Sequence, residues 1–311
     1  ILQEAIKITG LFINKGPVVQ VKDYRGRKRV MNDVDTRVTY RGPLVIAVSH
    51  MSASASEIVA AALQDHGRAI IVGGKATHGK GTVQQILPLN RSFVPKLTGD
   101  SGQLKFTISK FYRINGTTTQ RDGVKPDIVL PSVLDYIGTS EGDLPRALES
   151  DKIDEAKYDS LDQVSAFFTS LRRASAKRIG SNQDYKYISE DIKRVKERKE
   201  DPRVSLNEAA RRKESAQNKT RIESRNKERA ARSLPAEQYY EIDLKIAQND
   251  KPLKKLDPPK AKQESIDPNS TPLEDLTTFK IDPELRETLQ ILSDFIILNE
   301  KLAFSSKKSS Q

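Results

Sequence analysis

Two continuous apolar runs separated by one helix-length segment constrain this chain more than any other feature of it. Pro43-Leu-Val-Ile-Ala-Val-Ser49 and Arg68-Ala-Ile-Ile-Val-Gly73 lack the polar alternation of a half-exposed strand. Such runs suit strands buried on both faces. Between them, Glu57 to His66 reads as a helix ended by Gly67. Strand, helix and strand with short connections form a right-handed crossover in a mostly parallel sheet. The core class is therefore α/β.

Other segments extend this core. Leu2 to Phe12 reads as a helix with Leu2, Ile6, Ile8 and Phe12 apolar, and Val18 to Lys22 alternates like a strand. Gly26 marks a turn returning through Arg29-Val-Met31, and Val83 to Pro88 resembles a strand. Gln103 to Tyr112 alternates over its length, with Leu104, Phe106, Ile108 and Lys110 on one face until Phe111. The core closes at Asp127-Ile-Val-Leu-Pro131.

Composition then changes, which divides the chain into a core over 1–134 and a highly charged, mainly α-helical accessory domain over 135–311. Helices are expected over Asp154 to Lys177 and over Ile188 to Arg232, with a break near Pro202. A polar linker is expected around Pro258-Pro259. Pro283 to Phe304 reads as a last amphipathic helix with Leu285, Leu289, Leu292, Ile296 and Leu302 as its apolar stripe.

The formal charge of +11 does not by itself indicate nucleic acid. From Lys186 to Arg232 there are 16 Lys and Arg against 9 Asp and Glu, a local +7. These charges are interleaved and nearly free of aromatics, as on a solvated helix face. The absence of cysteine excludes disulfides and thiol nucleophiles. His50, His66 and His78 are too scattered to suggest a metal site, and no cofactor is called for. No apolar stretch is long enough to cross a membrane. The opening at Ile1, without Met or a signal-like region, suggests a piece whose targeting segment lies upstream.

Two motifs could carry chemistry. Ser52-Ala-Ser54-Ala-Ser56-Glu57 sits where the first buried strand meets the helix, so helix-start N–H groups could stabilise an oxyanion beside a serine. Ser54 and Glu57 equally fit the capping box S-x-x-E. Gly79-Lys80-Gly81-Thr82 follows the second strand of the same unit, and loops leaving the same end of adjacent strands can bring side chains together. A serine needs a base to take its proton, and a lysine can serve. Gly74 to Lys80 also satisfies the phosphate-loop spacing, but Gly81 stands where a magnesium-binding Ser or Thr is needed and a strand-like segment follows. His66 reads as a surface or capping residue, and His78 as a possible neighbour of the cleft.

With Ser52-Ala-Ser-Ala-Ser-Glu-Ile58, Ala69 to Gly73, Thr77-His-Gly-Lys-Gly-Thr-Val-Gln84 and Gly123-Val-Lys-Pro-Asp-Ile128, the chain resembles the carboxyl-terminal processing, or tail-specific, proteases over about residues 1–132. The remainder resembles, more weakly, the C-terminal extension of the longer bacterial members. The resemblance implies a partial crotonase-like core, Ser54 as nucleophile, Lys80 as base, Gln84 orienting Lys80, and the Ala55 N–H as oxyanion donor. It implies protein substrates with nonpolar C-terminal tails and export to the bacterial envelope, the periplasm. The family's PDZ domain and second oxyanion donor are expected upstream of Ile1, so this segment alone is expected to be nearly inactive. The family's Glu-Pro before the Thr is replaced by Gly74-Lys75-Ala76. A non-enzymatic alternative is an envelope scaffold whose basic helices meet an adaptor protein.

Overall fold

The structure is a computed structural model that describes residues 2–89, 102–232, 238–248, 252–256 and 282–308. It divides into two compact units, one of residues 1–192 with 284–311 and one of residues 193–283.

In the first unit, β3 (Val45–Val48), α2 (Ala55–Asp65) and β4 (Ile70–Gly73) form the crossover expected from the two apolar runs. β3 and β4 pair in parallel from Val45↔Ile70 to Val48↔Gly73. β7 (Ile128–Val129) adds on the other side of β4, giving the order β3-β4-β7. β4 is buried throughout because both its faces are covered. Ile71 points into a cluster with Ile58, Leu63 and Val18, while Ile70 and Val72 point into another with Leu130, Leu171, Ile291 and Phe295. This is the two-sided burial that a non-alternating run predicts, but it holds for β4 alone: β3, at the end of the sheet, buries only Val48 and exposes Ala47.

A second sheet, antiparallel, has the order β2-β1-β6-β5. It is made of β1 (Gly16–Asp23), β2 (Lys28–Asp33), β5 (Thr82–Pro88) and β6 (Gln103–Tyr112). Gly26, with φ +81°, makes the turn between β1 and β2. α1 (Leu2–Gly10) packs Ala5 and Ile6 into the core, whereas Ile8, read as part of its apolar face, is exposed.

Three expectations for the later half change. Asp154 to Val164 is not helical; after a short turn, α3 (Leu134–Ile137), the next α-helix is α4 (Phe168–Ser181). The amides of Ile153, Ala156, Leu161 and Gln163 donate instead to the carbonyls of Gly116, Ile114, His66 and Gly67, so tertiary pairing overrides local helix preference. α5 (Gln183–Glu200) begins before Ile188, and α6 (Glu208–Ala231) resumes after the break at Pro202. The final helix, α8 (Pro283–Lys308), buries Glu287, Thr288, Ile291 and Phe295, while Leu285, Leu289, Ile296 and Leu302 face outward.

In the second unit, Arg194 and Arg198 bond Asn218 and Glu214 of α6, while Val195 and Ile222 are buried. α7 (Leu244–Gln248) lies in sequence between β8 (Tyr239–Glu241) and β9 (Lys254–Leu256), which pair antiparallel. Among the described residues no helix is long and apolar enough to cross a membrane. The Pro258-Pro259 linker lies outside the described residues.

Candidate active site

Ser54 is the N-cap of α2, and its backbone takes φ +59° and ψ −112°, in the half of conformational space that non-glycine residues avoid. Such a residue persists only where its surroundings hold it. The hold here is the capping box read from the sequence, with Ser54 N–H donating to Glu57 Oε2 at 2.7 Å. The two flanking serines are engaged locally: Ser49 N–H donates to Ser52 Oγ at 3.1 Å, and Ser56 Oγ donates to Ala53 O at 2.9 Å. Ala55 opens α2, so its N–H belongs to the first turn, where amides lack helical acceptors and the dipole is positive.

Glu57 does more than close the capping box. It is 0% exposed, and its other contacts come from the lysine loop. Glu57 Oε2 also accepts from Lys80 N at 3.0 Å, so the main-chain nitrogens of Ser54 and Lys80 share one acceptor atom. Glu57 Oε1 accepts from Gly79 N at 2.8 Å and from Thr77 Oγ1 at 2.5 Å. The Thr77 hydroxyl in turn accepts from Val124 N, so its proton is directed at Glu57. Burial pushes the Glu57 carboxyl above the ordinary glutamate range, against the pull of the donors from Thr77, Gly79, Ser54 and Lys80. The sequence offered one signal for this residue, the S-x-x-E spacing. Its contacts with Thr77, Gly79 and Lys80 were not readable there.

Lys80 sits in the stretch Gly79–Gly81, where every backbone polar group is bonded. Gly79 N and Lys80 N donate to Glu57, and Gly81 N donates to Gln120 Oε1 at 2.9 Å. Gly79 O, Lys80 O and Gly81 O accept from Arg121 N, Thr119 Oγ1 and Phe111 N. Glycine is required at position 79 on two counts: φ is +91°, and a Cβ there would lie 2.8 Å from Arg121 O. The backbone is fixed while the side chain extends from it. Lys80 Nζ donates to Gln84 Oε1 at 3.3 Å, from the start of β5. Because Gly81 leads into a strand and not a helix, the phosphate-loop reading has no structural counterpart.

His78 stands between the two loops. Its N–H donates to Ser52 O at 2.9 Å, its ring lies edge-on to His50, and its Nε2 is 3.7 Å from Glu141 Oε2. His66, expected at the surface or as a cap, does close α2 but is only 3% exposed. Its Nε2 donates to Pro17 O at 2.9 Å and its ring meets Tyr158 edge-on. Gly74-Lys75-Ala76 is pinned by Asp135, which accepts from Lys75 N at 3.0 and 3.1 Å. Among the described residues no group of His, Cys, Asp and Glu could hold a metal ion.

A serine at a helix start, in a backbone conformation that non-glycine residues avoid, is thus latched through one carboxylate to the lysine loop. Residues 1–130 match the family described as Peptidase family S41, and residues 134–297 the C-terminal domain of tail specific protease. A tail-specific protease of Haemophilus influenzae is 41% identical over 210 residues, which make up 66% of this chain and 30% of that protein. A carboxy-terminal-processing protease of Bartonella bacilliformis is 42% identical over 140 residues, 43% of this chain and 29% of that protein. The solved structure titled photosystem II D1 C-terminal processing protease is 26% identical, covering 42% of this chain and 31% of that one, with a TM-score of 0.34. The chain belongs to the tail-specific, carboxyl-terminal-processing protease family. It spans less than a third of the length of these two curated relatives.

Proposed function

We propose that this chain carries the nucleophile and base of a serine endopeptidase with a crotonase-like core, which cuts proteins selected by a nonpolar C-terminal tail. The observation that carries the reading is the shared acceptor: Glu57 Oε2 holds the main-chain nitrogens of Ser54 and Lys80 at once, so the two residues leave from neighbouring stretches of backbone. In its unprotonated form, the Lys80 amine takes the Ser54 hydroxyl proton as Oγ attacks the peptide carbonyl carbon. The Ala55 N–H, at the positive end of α2, donates to the oxyanion. The C–N bond then breaks, the proton passes from Lys80 to the leaving amine, and water hydrolyses the acyl-enzyme with Lys80 again as base. Gln84 keeps the amine aimed.

No metal or organic group enters these steps. The intact protein is read as exported to the bacterial cell envelope, with an adaptor protein as a further partner of the helical domain. Since a second oxyanion donor is expected from outside residues 1–311, this segment alone is proposed to cleave at about a hundredth of the intact rate or less.

The test uses the full-length protease and two peptides that differ only in a nonpolar or an acidic tail. Ser54→Ala and Lys80→Ala are expected to reduce cleavage to background, and Gln84→Ala to lower kcat about tenfold. Cleavage by Ser54→Ala at the unmodified rate removes the dyad. Equal cleavage of both peptides removes the tail preference.

A further inference from the structure

Lys80 is held on its amino side by Glu57, but on its carboxyl side the hold comes from a different part of the chain. Gln120 is 0% exposed and accepts from Gly81 N at 2.9 Å through Oε1. Its amide nitrogen donates to Glu141 Oε1 at 3.2 Å and to Leu148 O at 3.1 Å. A glutamine amide has one acceptor end and one donor end, and both ends meet complementary partners, so its orientation is fixed. The packing leaves no slack, because a Cβ on Gly81 would lie 2.7 Å from the Gln120 Cβ. Glu141 reaches the other flank of Lys80 as well, since its N–H donates to His78 O at 2.9 Å and its Oε2 lies 3.7 Å from His78 Nε2.

Resting on the dyad reading above, we infer that Gln120, braced by Glu141, is a positioning residue for the Lys80 base. Lys80 Nζ stands at the end of a four-carbon stem, so a small shift of the Gly79–Gly81 backbone displaces the amine from the serine. Proton transfer depends steeply on such displacements. Glu141 lies within residues 134–297, the stretch matching the C-terminal domain of tail specific protease. The inference therefore makes that domain's first residues part of what holds the peptidase loop in register.

Steady-state kinetics on the full-length protease with a tailed peptide test it. Gln120→Met keeps the length and loses the acceptor; kcat is expected to fall about tenfold or more while KM stays within about twofold. Gln120→Glu sets two carboxylates against each other and lowers kcat similarly. Combining Gln120→Glu with Glu141→Gln reverses the sense of that hydrogen bond and keeps an acceptor for Gly81 N–H while leaving the Leu148 carbonyl without its donor, and is expected to raise kcat at least about threefold above Gln120→Glu alone. A purely structural role predicts instead that kcat follows the folded fraction in urea melts and that the exchange rescues nothing. That result overturns the inference, as does an unchanged kcat in Gln120→Met. Ser54→Ala in the same assay separates the two readings. If it still cleaves, the dyad has failed; if it is dead while Gln120→Met runs at full speed, the positioning role alone has failed.

Discussion

Glu57 has donors on every side: Ser54 N, Lys80 N, Gly79 N and the Thr77 hydroxyl. Only an ionised carboxylate accepts from all of them, so Glu57→Gln turns an amide NH2 against N–H groups. The substitution is expected to reduce kcat/KM of the full-length enzyme about a hundredfold and stability by about 1–3 kcal/mol, read by kinetics and urea melts. The pH dependence follows from its burial, which raises the folded-state value against the donors' pull. The proton is therefore held more tightly in the folded than in the unfolded chain. Stability from this group is complete below the ordinary glutamate range and is lost as pH rises through the raised value. The latch behaves oppositely, because it needs the carboxylate. Across that window, on acidification, wild-type activity is expected to fall while its stability relative to Glu57→Gln increases. Parallel pH series of kcat/KM and urea midpoints check this, and a parallel fall of both relative to Glu57→Gln refutes it. The Ser54–Glu57 capping box and the loop at Gly79-Lys80-Gly81 were legible in the sequence because each is a short local pattern. Glu57's second role and Gln120 were not, since their partners are brought together by the fold.

At the scale of elements, β4 and α8 mark the two ends of what a pattern can tell. A strand buried on both faces has no alternative to a continuous apolar run, so Ile70, Ile71 and Val72 could be placed from sequence. α8 offers two apolar stripes at helical spacing, and the periodicity does not say which one faces the core. The structure buries Ile291 and Phe295, with Phe295 against Phe167 at 5.0 Å between ring centroids. That side also holds Glu287, a buried charge. Arg178 of α4 supplies the missing reason, donating to Glu287 at 2.8 Å and to Asp294 at 2.6 Å. Ile291→Ala is therefore expected to cost about 2–5 kcal/mol. Leu289→Ala, at a position 48% exposed, should cost less than about 1 kcal/mol. Urea denaturation of the two variants decides between the stripes, and a larger loss at Leu289 would restore the sequence reading.

Over the first unit as a whole, the segment from Leu144 to Gln163 is bound along the peptidase sheets without forming a helix of its own. Arg113 pairs with the buried Asp65 on the sheet side, and the segment's amides reach Gly116, Ile114, His66 and Gly67. Asp151 is its densest anchor, accepting from Lys110 Nζ at 3.1 Å and from the Tyr112 hydroxyl at 3.0 Å, with Lys22 at 3.6 Å. Partial burial pushes its carboxyl up, but the bonds from Lys110 and Tyr112 and the charges of Lys110 and Lys22 prevail and hold it below the ordinary aspartate range. The Tyr112 hydroxyl is raised by its own burial and by Asp151. A depressed carboxyl stabilises the fold above its unfolded value, and that stability is lost as pH falls through the folded value. Asp151→Asn should thus free the segment at neutral pH, visible as faster hydrogen exchange at the Ile153 and Ala156 amides, whose acceptors are Gly116 O and Ile114 O. The difference from wild type should close as both are taken below the ordinary aspartate range, where the wild-type carboxylate also picks up its proton. An exchange rate unchanged by Asp151→Asn at neutral pH would mean that backbone pairing alone holds the segment, with the ion cluster a passenger on it.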